Sequence, residues 1–405
     1  MTKDFNPIDD LGVDPRIEEL ISLAIGDKGE RIAIIRTSDR IQYRGCRRRW
    51  GWQSHLRGNL SPKESAGPLW FGSGIHFALE DFHSVNRYGH PAKAFEAYVQ
   101  ATKRNIRVLP LPADWDDLRL LGHDMMFYYG DYWLRNRPHL KTLQFRGQYQ
   151  VEVNAHIEIP RHQLPDHVKE NYDRVIYSIT LDRVVEDDDN LLWIVEYKTA
   201  KRFEIRHLPT DPQVNAYCWA GQMLYGRPIA GVIYQQHFKG IVQPPRILAD
   251  GTISLNKSQG TTHALYRAAV AKLCGPDSSR WPAKYIDMVN YLAMQESPVH
   301  DDFIRRDKVY RNEHTAQSEG QKILFELDEM LNPNTALYPN AHRFQCGWCP
   351  FMNACISIDD GGDWEFELKH FFQKRPTGEQ TWRRWLPNPI ALPELQAPKH
   401  LQLLS

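Results

Sequence analysis

Residues 177–201, YSITLDRVVEDDDNLLWIVEYKTAK, constrain the fold of this 405-residue chain more than any other stretch. Two apolar runs that alternate with period two flank the turn EDDDN, the pattern of an antiparallel hairpin. Successive strand side chains point to opposite faces, so Glu196 and Lys198 share one face while Val195 and Tyr197 share the other. Asp182 lies on the preceding strand, with Ser178 and Thr180 on its face. It shares a side with Glu196 when paired residue numbers add to an even value. That requires a loop of odd length, such as 187–189, or a bulge. The run LLWIV reads as a buried strand that ends in charged groups.

Two carboxylates and one ammonium would then converge on a single patch. Carboxylates a few ångströms apart repel and do not both ionise cheaply without a cation. Hard oxygen donors suit Mg²⁺ or Mn²⁺, and two such ions clamp the attacking and leaving oxygens of a phosphodiester. A lysine beside them holds a water and helps deprotonate it. The bland alternative is a surface cross-strand salt bridge.

Two further stretches bear on the same patch. In FGSGIHFALEDF, Gly72 and His76 stand four apart at the start of a helix for which Ser73 is the expected cap. A histidine there offers a nitrogen ligand, against the alternative of a satisfied structural histidine. In DPQVNAYCWAG, Asp211 caps a helix with Pro212 in its first turn, and Gln213 and Tyr217 are one helical turn apart. They would orient a phosphate or a substrate end, unless the helix merely docks on the sheet.

Around these motifs the periodicity divides the chain. Residues 1–30 read as an acidic leader, 31–60 as a basic segment holding Cys46, and 61–335 as a core with a helical insertion at 91–140. Residues 336–360 carry clustered cysteines, and 361–405 read as an extended, Pro-rich and aromatic tail. Strands are expected at 148–159, 175–186, 191–200 and 229–238, and helices at 211–226, 258–274 and 313–331. No apolar run approaches the roughly 20 residues of a membrane helix. The acidic N-terminus lacks an apolar signal core, so six cysteines in so long a chain point to metal or catalysis in a reducing cytoplasm, not to a disulfide framework. Net charge is zero, so any basic surface must be local.

Together, Gly72-x3-His76, Asp182, Glu196-x-Lys198 and Gln213-x3-Tyr217 resemble the PD-(D/E)XK nuclease superfamily, and its RecB-like branch in particular. The resemblance covers residues 72–217, with Leu181 where the family name has proline. It implies an α/β fold of the restriction-endonuclease type, a mixed sheet flanked by helices, that cuts DNA with divalent metal. It also implies His76, Asp182, Glu196 and the carbonyl of Tyr197 as ligands of Mg²⁺ or Mn²⁺, Lys198 as the group that positions the water, and Gln213 and Tyr217 as DNA contacts.

The sequence RFQCGWCPFMNACIS places Cys346, Cys349 and Cys355 within ten residues, one ligand short of a tetrahedral site. Cys46, Cys218 and Cys274 are candidates for the fourth. One distant N-terminal cysteine and three clustered C-terminal ones, flanking the nuclease motifs, resemble the iron–sulfur nucleases of the RecB-like branch. Those include the CRISPR-associated RecB-like exonucleases and their phage relatives. That resemblance implies a four-iron–four-sulfur cluster on Cys46, Cys346, Cys349 and Cys355, a structural staple joining the N- and C-terminal segments. Zinc in the same cage is the alternative.

Arginines with interleaved rings suit a single strand of DNA. Arg44, Arg47, Arg48 and Trp50 are therefore expected to contact DNA, as are Lys201 and Arg202 just past the active-site strand. The run FIRRDKVYRN is expected to be a solvated helix face. The resembling enzymes trim DNA ends, commonly 5′→3′. The expected activity is accordingly that of a metal-dependent DNA exonuclease in recombination, repair or phage DNA metabolism, in a bacterial or phage-infected cytoplasm. It would act on single strands or duplex ends, with or without a recombination or replication partner protein. A structure-selective endonuclease and a non-cutting DNA-binding subunit are the alternatives.

Overall fold

The structure, a computed structural model, describes residues 31–63, 67–104, 114–136, 139–295 and 303–375. The acidic leader and the end of the tail lie outside these residues. Eleven strands run in chain order. They are β1 (Ile32–Arg36), β2 (Leu60–Pro62), β3 (Lys141–Thr142), β4 (Gln144–Phe145), β5 (Gln148–Tyr149), β6 (Val151–Glu158), β7 (Arg174–Glu186), β8 (Leu192–Ala200), β9 (Ile229–Phe238), β10 (Ile304–Tyr310) and β11 (Phe372–Lys374). Seven of them form one mixed sheet with the path β1-β7-β8-β9-β10, and β3 and β6 also pair with β7. The sheet is mixed because β1 runs parallel to β7 and β9 parallel to β8, while the other pairs are antiparallel. The β8–β9 crossover carries the helix Pro212–Tyr225, as parallel neighbours require.

The long strand β7 explains the shape of the site. On one edge, β6 pairs with it from Ile176 to Arg183. On the other, β1 takes Arg174 to Ser178 and β8 takes Arg183 to Glu186. Residues 179–182 are therefore unpaired on that second edge, and the sheet forks there. Beyond Val195, β8 leaves β7 but stays with β9 as far as Ala200. The turn is residues 187–191, five long and so odd, not the three of 187–189; Asp187 accepts from the backbone N–H of Asp189 and Leu191. Arg183 pairs with Val195, so Asp182 and Glu196 are the next residues opposite each other, at the mouth of the fork.

Each face of the sheet is covered by apolar side chains. One core holds Val175, Tyr177, Ile194, Val214, Trp219, Ile323 and Leu327, from the sheet and the helices Pro212–Tyr225 and Glu313–Leu331. The other holds Phe71, Ile75, Phe95, Tyr98, Tyr129, Trp193 and Val195, from the sheet and the helices Gly67–His83, Pro91–Arg104 and Trp115–Asn136. The last two helices were expected as an insertion. Their Phe95, Tyr98 and Tyr129 pack into this core. Leu181 and Val184 both join the first core, so strict alternation along β7 fails across Asp182 and Arg183. Opposite Asp182, Glu152 on β6 has the left-handed φ of 50°, a strained choice for a side-chain-bearing residue.

Several expectations need correction. The helix bearing His76 starts at Gly67, which puts Ser73 within it rather than at its cap. FIRRDKVYRN contains the strand β10, antiparallel to β9 at the sheet edge, not a helix. The presumed extended tail begins with the helix Trp364–Phe371, and β11 then pairs with β2. No helix among the described residues is long and apolar enough to cross a membrane.

Candidate active site

The fork gathers residues from five elements: the helix Gly67–His83, β6, β7, β8 and the helix Pro212–Tyr225. His76, on the helix Gly67–His83, places Nδ1 3.0 Å from Glu152 Oε1 and 3.5 Å from Asp182 Oδ1. The backbone N–H of Tyr197 donates to Asp182 Oδ2 at 2.8 Å, bridging the strands just where their ladder stops. Glu196, 1% exposed, is ion-paired with Lys198 and faces the buried Tyr217 hydroxyl. From the helix Pro212–Tyr225, Gln213 Nε2 donates to the Tyr217 hydroxyl at 2.6 Å. That helix starts where expected, with Asp211 accepting from the N–H of Gln213 and Val214. Its Tyr217 is buried, so the phenol braces Gln213 and does not itself face solvent. A Cβ added at Gly72, one turn from His76, would meet nothing within 4 Å, so this side of the helix is open.

The electrostatics describe a site built for a cation. Burial, then the charge of Glu196, raises the Asp182 carboxyl well above its ordinary range; Glu152 adds to this, while His76 and Lys198 oppose it. Burial lowers the His76 imidazolium, but Asp182 and Glu152 more than reverse that and bring it up to about 9. Burial likewise works against the Lys198 ammonium, and Glu196 and Asp182 outweigh it, raising its pKa. The two cationic side chains thus balance part of the carboxylate charge. Among the described residues, His76, Glu152 and Asp182 offer ligand atoms all within 4.8 Å of one another.

Behind this site lies an aromatic brace. Tyr197 stacks on His83, whose ring nitrogen lies 2.7 Å from the Tyr129 hydroxyl. Burial, then the cations Arg183 and Arg306, keep His83 neutral by pushing its pKa well down. Arg183 and Arg306 each lie about 5 Å from the Trp133 ring, at 5.2 and 5.3 Å. This packing fixes the strand whose backbone holds Asp182.

The family model of the PD-(D/E)XK nuclease superfamily matches residues 38–356. The chain belongs to that superfamily. The crystal structure of SSO0001 is similar to the nuclease at 11% identity and a TM-score of 0.28, over 84% of this chain and 95% of that one. Comparison with curated proteins finds no match. The central mixed sheet flanked by helices is the fold expected of this nuclease superfamily, and a divalent metal fits the donors: the His76 imidazole and the Glu152 and Asp182 carboxylates, with the Glu196 carboxylate beside them.

The sequence pointed to His76, Asp182, Glu196, Lys198 and Gln213, which the nuclease fold brings together. It did not point to Glu152. The only signal was an acidic residue in a strand, two positions into QYQVEVNAHIEI counted from Gln150. The expected DNA contacts fare differently. Trp50 is fully buried, edge-on to Tyr43 and with the Arg57 guanidinium over its ring, so neither face is open to a base. Arg44 pairs with Glu326, Arg47 with Glu329 at 2.6 Å and Arg48 with Asp359 at 3.2 Å, so these cations are matched within the chain. Lys201 and Arg202 are exposed just after β8.

Cys46 sits at the break between the helices Thr37–Gly45 and Arg47–Gln53, in extended backbone. Its sulfur accepts from the N–H of Asn340 at 3.4 Å, that of Cys346 from His342 N–H at 3.4 Å, and that of Cys355 from Arg48 Nη1 at 3.2 Å. Burial raises the Cys349 thiol pKa, with Cys46 and Cys346 close enough to add to the shift. Cys218 is a core residue, and burial pushes its thiol up to about 12. Cys274 packs beside a third small core.

Proposed function

We propose that this nuclease is a Mg²⁺- or Mn²⁺-dependent DNA exonuclease of the RecB-like branch, trimming ends with 5′→3′ polarity. The observation that carries the reading is the convergence of His76, Asp182, Glu196 and Lys198 on one fork of the sheet. His76, Glu152, Asp182, Glu196 and the carbonyl of Tyr197 would hold the metal, which when bound supplies charge stabilisation to the phosphate and acidifies water. Lys198 keeps its proton next to Glu196 and Asp182. It therefore acts by donating a hydrogen bond that orients the attacking water. Gln213, braced by Tyr217, presents an amide toward the substrate phosphate. Lys201 and Arg202 attract the strand leaving the fork.

The four cysteines support a cluster that clasps the chain ends. Backbone and guanidinium N–H groups already point at three of the sulfurs. Cys46 and Cys346 lie close enough to Cys349 to raise its thiol pKa, so thiolates from both ends of the chain gather in one place, a donor set that suits a four-iron–four-sulfur cluster, with zinc as the alternative.

The test is digestion of end-labelled single- and double-stranded DNA with Mg²⁺ or Mn²⁺, beside a covalently closed circle. An exonuclease releases label from the ends and spares the circle. Nicking of the circle would make the protein an endonuclease. Absence of any cleavage, with intact binding, would make it a non-cutting subunit.

A further inference from the structure

The N-terminal cations and ring first expected to contact DNA are taken up inside the chain, yet another group of the same chemistry stands exposed. Trp348 is 90% exposed and Phe344 63% exposed, both within the cysteine-bearing segment. Large apolar rings so open to water mark interaction sites when they cluster. The Arg343 guanidinium lies 4.4 Å over the Phe344 ring, and the His342 ring is 5.7 Å from it. Among the described residues Arg343 has no ion-pair partner, unlike Arg44, Arg47 and Arg48. Nearby, Tyr338, 53% exposed, lies under the Arg47 guanidinium at 5.3 Å.

Charge decides what this surface takes. From Leu331 to Ile358 the chain carries no Asp or Glu, in a protein whose acidic and basic residues are equal in number. The segment is also held in shape. The N–H groups of Gln345 and Cys346 both donate to the His342 carbonyl, at 3.1 and 2.9 Å, and Trp348 N–H donates to Gln345 at 3.3 Å. Rings held rigidly in the open lose little conformational entropy on stacking.

We propose that Phe344 and Trp348, with Arg343 between a ring and the solvent, form a stacking platform for single-stranded nucleic acid. Two unpaired bases would lie on the two rings, and Arg343 would meet a backbone phosphate. A strand fits better than a protein partner because Arg343, with no ion-pair partner among the described residues, complements a polyanion beside rings that take bases. The platform rests on the reading of the protein as acting on nucleic acid, but it does not depend on the catalytic residues.

The test uses the full chain without divalent metal, so that nothing is cut, and fluorescently labelled oligothymidylate as the probe. Trp348→Ala and Phe344→Ala are each expected to weaken binding roughly five- to a hundredfold. Arg343→Gln is expected to lower the slope of log affinity against log salt by about one. Thermal melting should stay at the wild-type value, since both rings are exposed. Unchanged affinity in both ring variants, alongside tight wild-type binding, would overturn the platform and leave the active-site reading intact. Unchanged affinity with an altered oligomeric state would overturn it in favour of a protein interface. Failure of the wild type to bind any strand would overturn the platform and the nucleic-acid reading together.

Discussion

The fork and the N-terminal basic helices both concentrate charge, and they use it in opposite ways. At the fork, three buried or half-buried carboxylates, Asp182, Glu196 and Glu152, crowd together around two cations, His76 and Lys198. In the helices Thr37–Gly45 and Arg47–Gln53, nearly every guanidinium finds a carboxylate. Arg40 takes Glu319 and Glu326 at 2.7 and 2.6 Å, Arg44 takes Glu326, and Arg47 takes Glu329. A surplus of one sign in a buried place needs an outside ion to balance it. A matched set needs nothing, however basic it looks in the sequence.

That contrast breaks most sharply on chemistry. Lys198→Ala should cut the rate of phosphodiester cleavage by roughly 10²- to 10⁴-fold with melting little changed, read on end-labelled DNA. Wild-type digestion by this variant would remove Lys198 from the mechanism. The next largest effect is on the clasp. Cys46→Ser should abolish the visible absorbance of anaerobically purified protein and lower its melting temperature by roughly 10 °C or more, because the clip that closes a loop of about 300 residues is gone. A colourless wild type containing zinc would refute the cluster. Trp50→Ala should cost roughly 3–5 kcal/mol of stability by denaturant titration, yet leave affinity for oligothymidylate unchanged. A loss of affinity without a loss of stability would return Trp50 to the DNA surface.

The smallest effect concerns protons. The pKa of His76 is raised in the folded, metal-free protein to about 9. Its contribution to stability is therefore fully present below its unfolded value near 6.5 and lost as pH rises through about 9. Asp182, also raised, has the same sign at lower pH. The metal-free protein should lose stability on going from pH 6.5 to 9, and His76→Gln should flatten that slope. Metal affinity should climb over the same interval, because the ion displaces the proton on His76. Titration calorimetry with Mn²⁺ at several pH values measures it.

Much of the fork was legible because it is written locally. Strand alternation and loop parity put Asp182 beside Glu196, and five turn residues supplied the required odd length. Asp211 and Pro212 marked the start of their helix, and 229–238 is β9 to the residue. What escaped was set by distant partners. The carboxylates that take up Arg44 and Arg47 lie on Glu326 and Glu329, some 280 residues away, so no local pattern distinguishes those arginines from a DNA surface. Glu152 joins the site only because β6 pairs with β7 across from Asp182, and a single acid in a strand announces nothing. FIRRDKVYRN alternates as an edge strand should, but Arg306 is buried against Gln235, Tyr132 and Trp133, which hid the period.

The pairing of β2 with β11 joins Leu60–Pro62 to Phe372–Lys374. Read as an order of manufacture, this means the first segment waits for the last. At roughly 5–20 residues per second of synthesis, about 15–60 s separate the emergence of residue 62 from that of residue 372. For most of that interval Cys46 and the arginines beside it have neither their thiol neighbours nor their carboxylates, which arrive with residues 319–355. The fork itself, whose elements all lie between residues 67 and 225, can assemble well before those two segments meet.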